Sequence, residues 1–229
     1  MDLEGVLSSD NFLQMVELRP PKGVILDGLT DIVDRLEGVD AFLVRDNADA
    51  LMAACPTVLG RRLLERGLSV VLHVSCRDRN RIALQSHLLG AYIDGVRDLL
   101  VTRGMDASFG DHPAATSVYD IEPLELMRAI QGLGEGLDMT GNPVEGTPPP
   151  ALSFGAVINP FLEGEALRKE LAGAEKQIAA GARFLLTHPV HDPEGATKKF
   201  ARVADLGVPV IARVMLLKSV AMARYINTN

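Results

Sequence analysis

Seven short apolar runs recur along this chain, separated by stretches of helical pattern, and most follow a glycine that would end the preceding helix. In order they are Met15 to Leu18, Ala41 to Val44, Val70 to Val74, Asp98 to Thr102, Phe154 to Ile158, Phe184 to Thr187 and Val208 to Val214. Helical patterns such as Ala48 to Glu65 and Arg81 to Arg97 lie between them, and Gly67, Gly95, Gly181 and Gly207 mark the turns into the following runs. Runs apolar throughout, joined by helices, predict a parallel sheet covered on both faces.

Regular spacing, with no Gly-x-Gly-x-x-Gly after the first run, favours an α/β fold of the (β/α)8 TIM-type barrel kind over an open doubly wound sheet. The pattern is one strand short: it ends at Asn227-Thr228-Asn229, after the helix that follows the seventh run. The eighth strand is expected to be truncated, disordered or supplied by another chain. The 229 residues are read as one domain, interrupted by a long insertion over about 105–152 between the fourth and fifth runs. It carries Gly110-Asp111-His112-Pro113, a helix near Pro123 to Gly132 and a Gly/Pro-rich stretch ending Pro148-Pro149-Pro150. Loops of that length at the carboxyl end of a barrel usually cover a site.

Lysine and arginine total 23 against 30 acids, with the bases scattered, so nucleic acid is not an expected partner. The start, Met1-Asp2-Leu3-Glu4-Gly5, lacks the pattern of a signal peptide, and no apolar run reaches the roughly 18 residues of a membrane span. Two cysteines, Cys55 and Cys76, make no disulfide framework, and the expected location is cytoplasmic.

In a parallel barrel the chemistry comes from the carboxyl ends of the strands, and this chain places many polar residues there. They are Glu17 and Arg19; Arg45, Asp46 and Asn47; His73 and Arg77 to Asn80; Arg103 and Asp106; Asn159; His188, His191 and Asp192; and Lys218. Any one of these has a bland reading, since Asp46, Asn47 and Asp78 are natural helix caps and a lone histidine is often a satisfied core residue. Glu17 stands out, because an acid within an apolar strand is costly to bury without a partner. Three chemistries compete for the ring. Schiff-base work would rest on Lys218. Metal hydrolysis would recruit His188, His191 and Asp192 with Glu17. Proton transfer beside an organic cofactor would use one acid and histidine donors.

The opening Val16-Glu17-Leu18-Arg19-Pro20-Pro21, the Leu72 to Asn80 segment, Gly110-Asp111-His112-Pro113 with Val118-Tyr119-Asp120, and Gly181 to Val190 together resemble methylenetetrahydrofolate reductase, in its bacterial branch. The resemblance implies a barrel holding FAD, reduced by NAD(P)H or another donor, which passes hydride to 5,10-methylenetetrahydrofolate to give 5-methyltetrahydrofolate. It implies Glu17 as the acid, Asp106 near the flavin and folate, and His188 gripping the pterin where the family has glutamine. His73, Thr102, Arg103, Gly104, Tyr119 and Asn159 would hold the flavin. Met105 stands at the family's aspartate position, and Glu170, Glu175, Lys176 and Gln177 occupy a helix where the family carries basic residues. The alternative is a flavin-free homologue acting as a folate-binding or interaction subunit of a one-carbon complex. A homo-oligomer is expected, because an open barrel exposes two strand edges.

Overall fold

The computed structural model describes residues 3–7, 12–146, 148–217, 219–220 and 223–224, so Lys218 and the terminal Asn227-Thr228-Asn229 lie outside the described residues. Seven parallel strands hydrogen-bond in chain order: β1 (Met15–Leu18), β2 (Ala41–Val44), β3 (Val70–Ser75), β4 (Asp98–Thr102), β5 (Ser153–Ile158), β6 (Leu185–Thr187) and β7 (Val210–Ile211). The helices are α1 (Leu3–Leu7), α2 (Asp27–Val33), α3 (Pro56–Leu64), α4 (Arg81–Ile93), α5 (Pro123–Gly134), α6 (Gly164–Ala179) and α7 (Pro193–Phe200). The four predicted turn glycines, Gly67, Gly95, Gly181 and Gly207, all adopt positive φ.

Alternation along the strands sorts side chains into two apolar clusters. Phe42, Val44, Val70, Leu72, Val74, Leu99, Val101, Phe154, Ala156, Ile158 and Leu185 point outward and bury Leu59, Leu63, Leu84, Leu88, Leu126 and Ile130 of the helices. Ala41, Leu43, Val71, Leu100, Phe184 and Leu186 point the other way, joined by Leu3 of α1, Met15 of β1 and Ile211 of β7. Residues from the first and last strands share this inner cluster, so the sheet is curled. Among the described residues β1 and β7 do not pair with each other, and the curl stays open between them.

Where the structure departs from the sequence pattern, the causes are local. The helix expected from Ala48 to Glu65 divides into a 3-10 turn at Ala48–Ala50 and α3. Asn47, Asp49 and Ala50 take left-handed backbone that no helix can continue through, and Pro56 then starts α3 at its first turn. Cys55, expected within that helix, is the residue just before α3 and is exposed. The seventh run pairs only over Val210–Ile211, with one isolated bridge from Val190 to Val214. Asn80, whose side chain accepts from the Ala83 N–H, caps α4, while Asp78 pairs with Arg77. The 105–152 segment holds a 3-10 turn at Ala107–Phe109 and α5.

The inner cluster is closely fitted at β5, where a β-carbon on Gly155 would meet the Phe184 ring at 2.4 Å. Gly155→Ala should therefore cost about 1–3 kcal/mol in chemical denaturation. Gly90→Ala in α4, where nothing lies within 4 Å, should stabilise by up to about 1 kcal/mol in the same assay. Equal effects of the two substitutions would contradict this packing.

Candidate functional site

Above the apolar inner cluster, the strand ends turn polar. Glu17 on β1 accepts from Arg45 Nη1 at 3.1 Å and from Arg213 Nη2 at 2.9–3.0 Å. The premise behind a desolvated, unpartnered acid thus does not hold: Glu17 meets two guanidiniums, and its side chain is 23% exposed. Arg213 was not singled out in the sequence, although the signal that marked Glu17, a charge in an apolar run, is present in Val208 to Val214. Its backbone is pinned on both sides, the N–H donating to Thr187 Oγ1 at 3.0 Å and the carbonyl accepting from the Val190 N–H at 2.7 Å. Burial lowers the Arg45 pKa; Glu17 opposes that effect and Arg213 adds to it.

Next to this triad runs a buried chain of hydrogen bonds. Asp46, 1% exposed, accepts two bonds from Arg79, at 2.6 and 3.2 Å, and one from the Ser75 N–H at 3.2 Å. Although burial alone would raise it, Arg79 and its neighbours hold the Asp46 carboxyl below the usual range. The Asp46 N–H donates to His73 Nδ1 at 3.1 Å, and His73 Nε2 lies 2.7 Å from Thr102 Oγ1. A nitrogen that accepts an N–H carries no proton, so the neutral ring holds its proton on Nε2 and donates it to Thr102. Burial, with Arg45 nearby, brings the His73 pKa down to about 3.

A cleft of about 490 Å³ opens over these groups. Its lining includes Arg45, Asp46, His73, Thr102, Arg103, Gly104 and Met105 from β2 to β4 and the segments just after them, and Val157, Glu170, Gln177, Leu186, His188 and Arg213 from β5 onward. A second cleft of about 590 Å³, between β1 and β7, contains Glu17 and shares Leu186 and Arg213 with the first. His73, Thr102, Arg103, Gly104 and His188 therefore share one cleft. His188 sits at the lip; lost hydration lowers its pKa, which Glu170 opposes and Arg213 reinforces.

Other expected residues stand aside. Asp106 caps the 3-10 turn, accepting from Ser108 N–H and Oγ, and Met105 takes the place in the cleft wall. Tyr119 is beneath Arg103, which stacks 3.9 Å over its ring, and its hydroxyl donates to the Gly104 carbonyl. Asn159 Oδ1 accepts from the Phe161 N–H, and its own N–H holds Glu170 at 2.7 Å. The motif Gly110-Asp111 works as a strap: a β-carbon on Gly110 would lie 1.9 Å from the Ala50 carbonyl, and Asp111 binds Lys22, His112 and the Met52 N–H.

The lining suits a heterocycle better than a pyrophosphate. Arg45 and Arg213 face Glu17, Arg77 is held by Asp78 and by the Asn47 and Met105 carbonyls, and the exposed Arg103 lies 3.4 Å from Glu122. The same lining includes Glu170 and Gln177. A group carrying two negative charges finds one exposed guanidinium there and a carboxylate in the same lining, so the residues do not fit the phosphates of FAD. Among the described residues no three His, Cys, Asp or Glu side chains gather as a metal site, so His188, His191, Asp192 and Glu17 form no such group. No described helix is long and apolar enough to cross a membrane.

Comparison with known proteins places these features. The family model for methylenetetrahydrofolate reductase matches residues 3–228. No curated protein sequence matches the chain. Among solved structures, an uncharacterized protein from Clostridium thermocellum, described as binding two copies of 5-methyl-5,6,7,8-tetrahydrofolic acid, superposes with a TM-score of 0.56 at 15% identity. The match covers 87% of this chain and 65% of that protein, so the chain spans just under two thirds of its length. A 2,3-dimethylmalate lyase of the PEP mutase/isocitrate lyase superfamily superposes with a TM-score of 0.53 at 11% identity, covering 99% of this chain and 84% of the other. At these identities the likeness is one of fold.

Two outcomes test the geometry. A double-mutant cycle with Glu17→Gln and Arg213→Met should give a coupling of about 1–2 kcal/mol in urea denaturation, whereas additivity would remove the link between β1 and β7. For His73 the folded pKa lies below the unfolded one, so the unfolded state binds the proton first as pH falls. Its neutral form thus stabilises fully above about pH 6.5, and that stability is lost toward pH 3. Between pH 6 and 4, His73→Gln should flatten the decline in stability by about 1.4 kcal/mol per pH unit. An unchanged slope would mean that His73 titrates alike in both states.

Proposed function

Because the chain belongs to the methylenetetrahydrofolate reductase family, matched over residues 3–228, we propose that it binds a reduced folate in the cleft at the carboxyl ends of its strands, without FAD as a resident cofactor. The observation that carries this reading is the charge pattern of the lining: the arginines answer carboxylates of the protein itself, and Glu170 faces the cleft. Leu100, Val157 and Leu186 offer an apolar bed, and Thr102 and His188 offer hydrogen bonds at its edge. That combination suits a flat heterocycle with polar edges. The fold is shared with a protein described as binding 5-methyl-5,6,7,8-tetrahydrofolic acid, which supports the same ligand class here. In this reading the protein acts as a folate-binding subunit in one-carbon metabolism, and His188 contacts the pterin with one donor and one acceptor.

A second reading, the FAD-dependent reductase using NAD(P)H, is favoured by one observation: Glu17 stands at the end of β1, where the resemblance puts the family's acid. For that chemistry Glu17 would have to leave Arg45 and Arg213 to donate a proton, and Asp106 would have to leave its cap.

The discriminating experiment is a pair of titrations on purified protein. We expect saturable quenching or calorimetric heat with 5-methyltetrahydrofolate, and no flavin absorption retained after FAD is added and the excess removed. Arg45→Ala should weaken the folate about tenfold, because it takes a side chain out of the cleft lining and leaves the Glu17 charge answered by Arg213 alone. Stoichiometric FAD that NAD(P)H bleaches would replace this reading with the reductase.

A further inference from the structure

The buried chain from Arg79 to Thr102 decides the polarity of one hydroxyl. Nδ1 of His73 accepts from the Asp46 N–H, so its Nε2–H must point at Thr102 Oγ1. Thr102 is therefore an acceptor toward the protein, and its own O–H is left over. Among the described residues that proton meets no acceptor, while Thr102 lines the cleft. Its backbone is held in the sheet, opposite Ser75 in register, and its carbonyl accepts from the Cys76 N–H at 3.1 Å. The hydroxyl cannot turn its proton toward His73, because two protons would then face each other. His73 cannot shift its own proton either, because Nδ1 is occupied and Asp46 is fixed by Arg79 and Ser75.

We propose that Thr102 is the specificity-determining hydrogen-bond donor of this cleft, giving its hydroxyl proton to a ring carbonyl on the buried edge of the pterin. The assignment rests on the folate reading above and deepens it. A ligand edge with a carbonyl satisfies the leftover proton, whereas an amino group at the same place can donate only to the second lone pair of Oγ1 and leaves the hydroxyl proton without an acceptor. Sites built to hydrogen-bond a particular ligand group discriminate strongly against analogues that cannot supply it. His73 and Asp46 act through Thr102 as positioning residues.

The test compares tetrahydrofolate with tetrahydroaminopterin, which differ by a ring carbonyl replaced by an amino group, on wild type, Thr102→Ser and Thr102→Val. Wild type and Thr102→Ser should favour the carbonyl form by about tenfold or more, and Thr102→Val should bring the ratio near one. A ratio of two affinities taken on one sample does not depend on the fraction folded, so a loss of stability alone leaves it unchanged. If Thr102→Val does not fold, Thr102→Cys, whose thiol is a weak donor, should lower the ratio in its place. An unchanged ratio in the valine or cysteine variant overturns the role of Thr102 and leaves the folate reading intact. Wild type that binds neither pterin overturns both. Riboflavin, which carries ring carbonyls and no phosphate, forms the third arm: a valine effect confined to riboflavin would move the acceptor from pterin to flavin and overturn the assignment.

Discussion

One carboxylate organises the mouth of this sheet. Glu17 draws Arg45 of the neighbouring β2 end and Arg213 from beyond β7 onto a single point. Breaking such a group by removing one charge leaves the others poorly compensated, so each depends on its partners. The dependence spreads. Thr187 and Val190 fix the Arg213 backbone, tying in the β6 end, while Asp46, adjacent to Arg45, fixes His73 and through it Thr102 on β4. Six strand ends are thereby joined by polar contacts above an apolar interior.

This arrangement also governs what the cleft can recognise. Cations that answer carboxylates of the same protein have little attraction left for an anionic ligand, and Glu170 in the lining adds to that bias. Recognition falls to shape, apolar contact and a few neutral donors and acceptors. Those are the features of a site for heterocycles. Glu170 and Gln177 bring a carboxylate and a neutral amide to the lining from α6.

Much of the architecture was legible because strand and helix periods differ and glycine punctuates both. The bounds of β1, β2 and β4 coincide with the expected runs, each of which is followed directly by an arginine. The helix after β2 was misread because Asn47, Asp49 and Ala50 adopt a backbone that composition does not announce. The site was half legible. His73, Thr102, Arg103, Gly104 and His188 reach the cleft because they follow strands; Asp106 and Asn159 follow strands too, yet serve their own loops. Partnership was the hidden variable. Glu17 and Arg213 are 196 residues apart, and nothing local to either reveals that they meet.

That separation bears on how the molecule assembles. Because strand order equals chain order, each strand pairs with the one that precedes it in the chain. Contacts between near neighbours in sequence form early at small entropic cost, and those between distant residues form late. The meeting of Glu17 with Arg213 is of the second kind. Arg213 lines the cleft, so one wall of it rests on a contact that spans nearly the whole described chain.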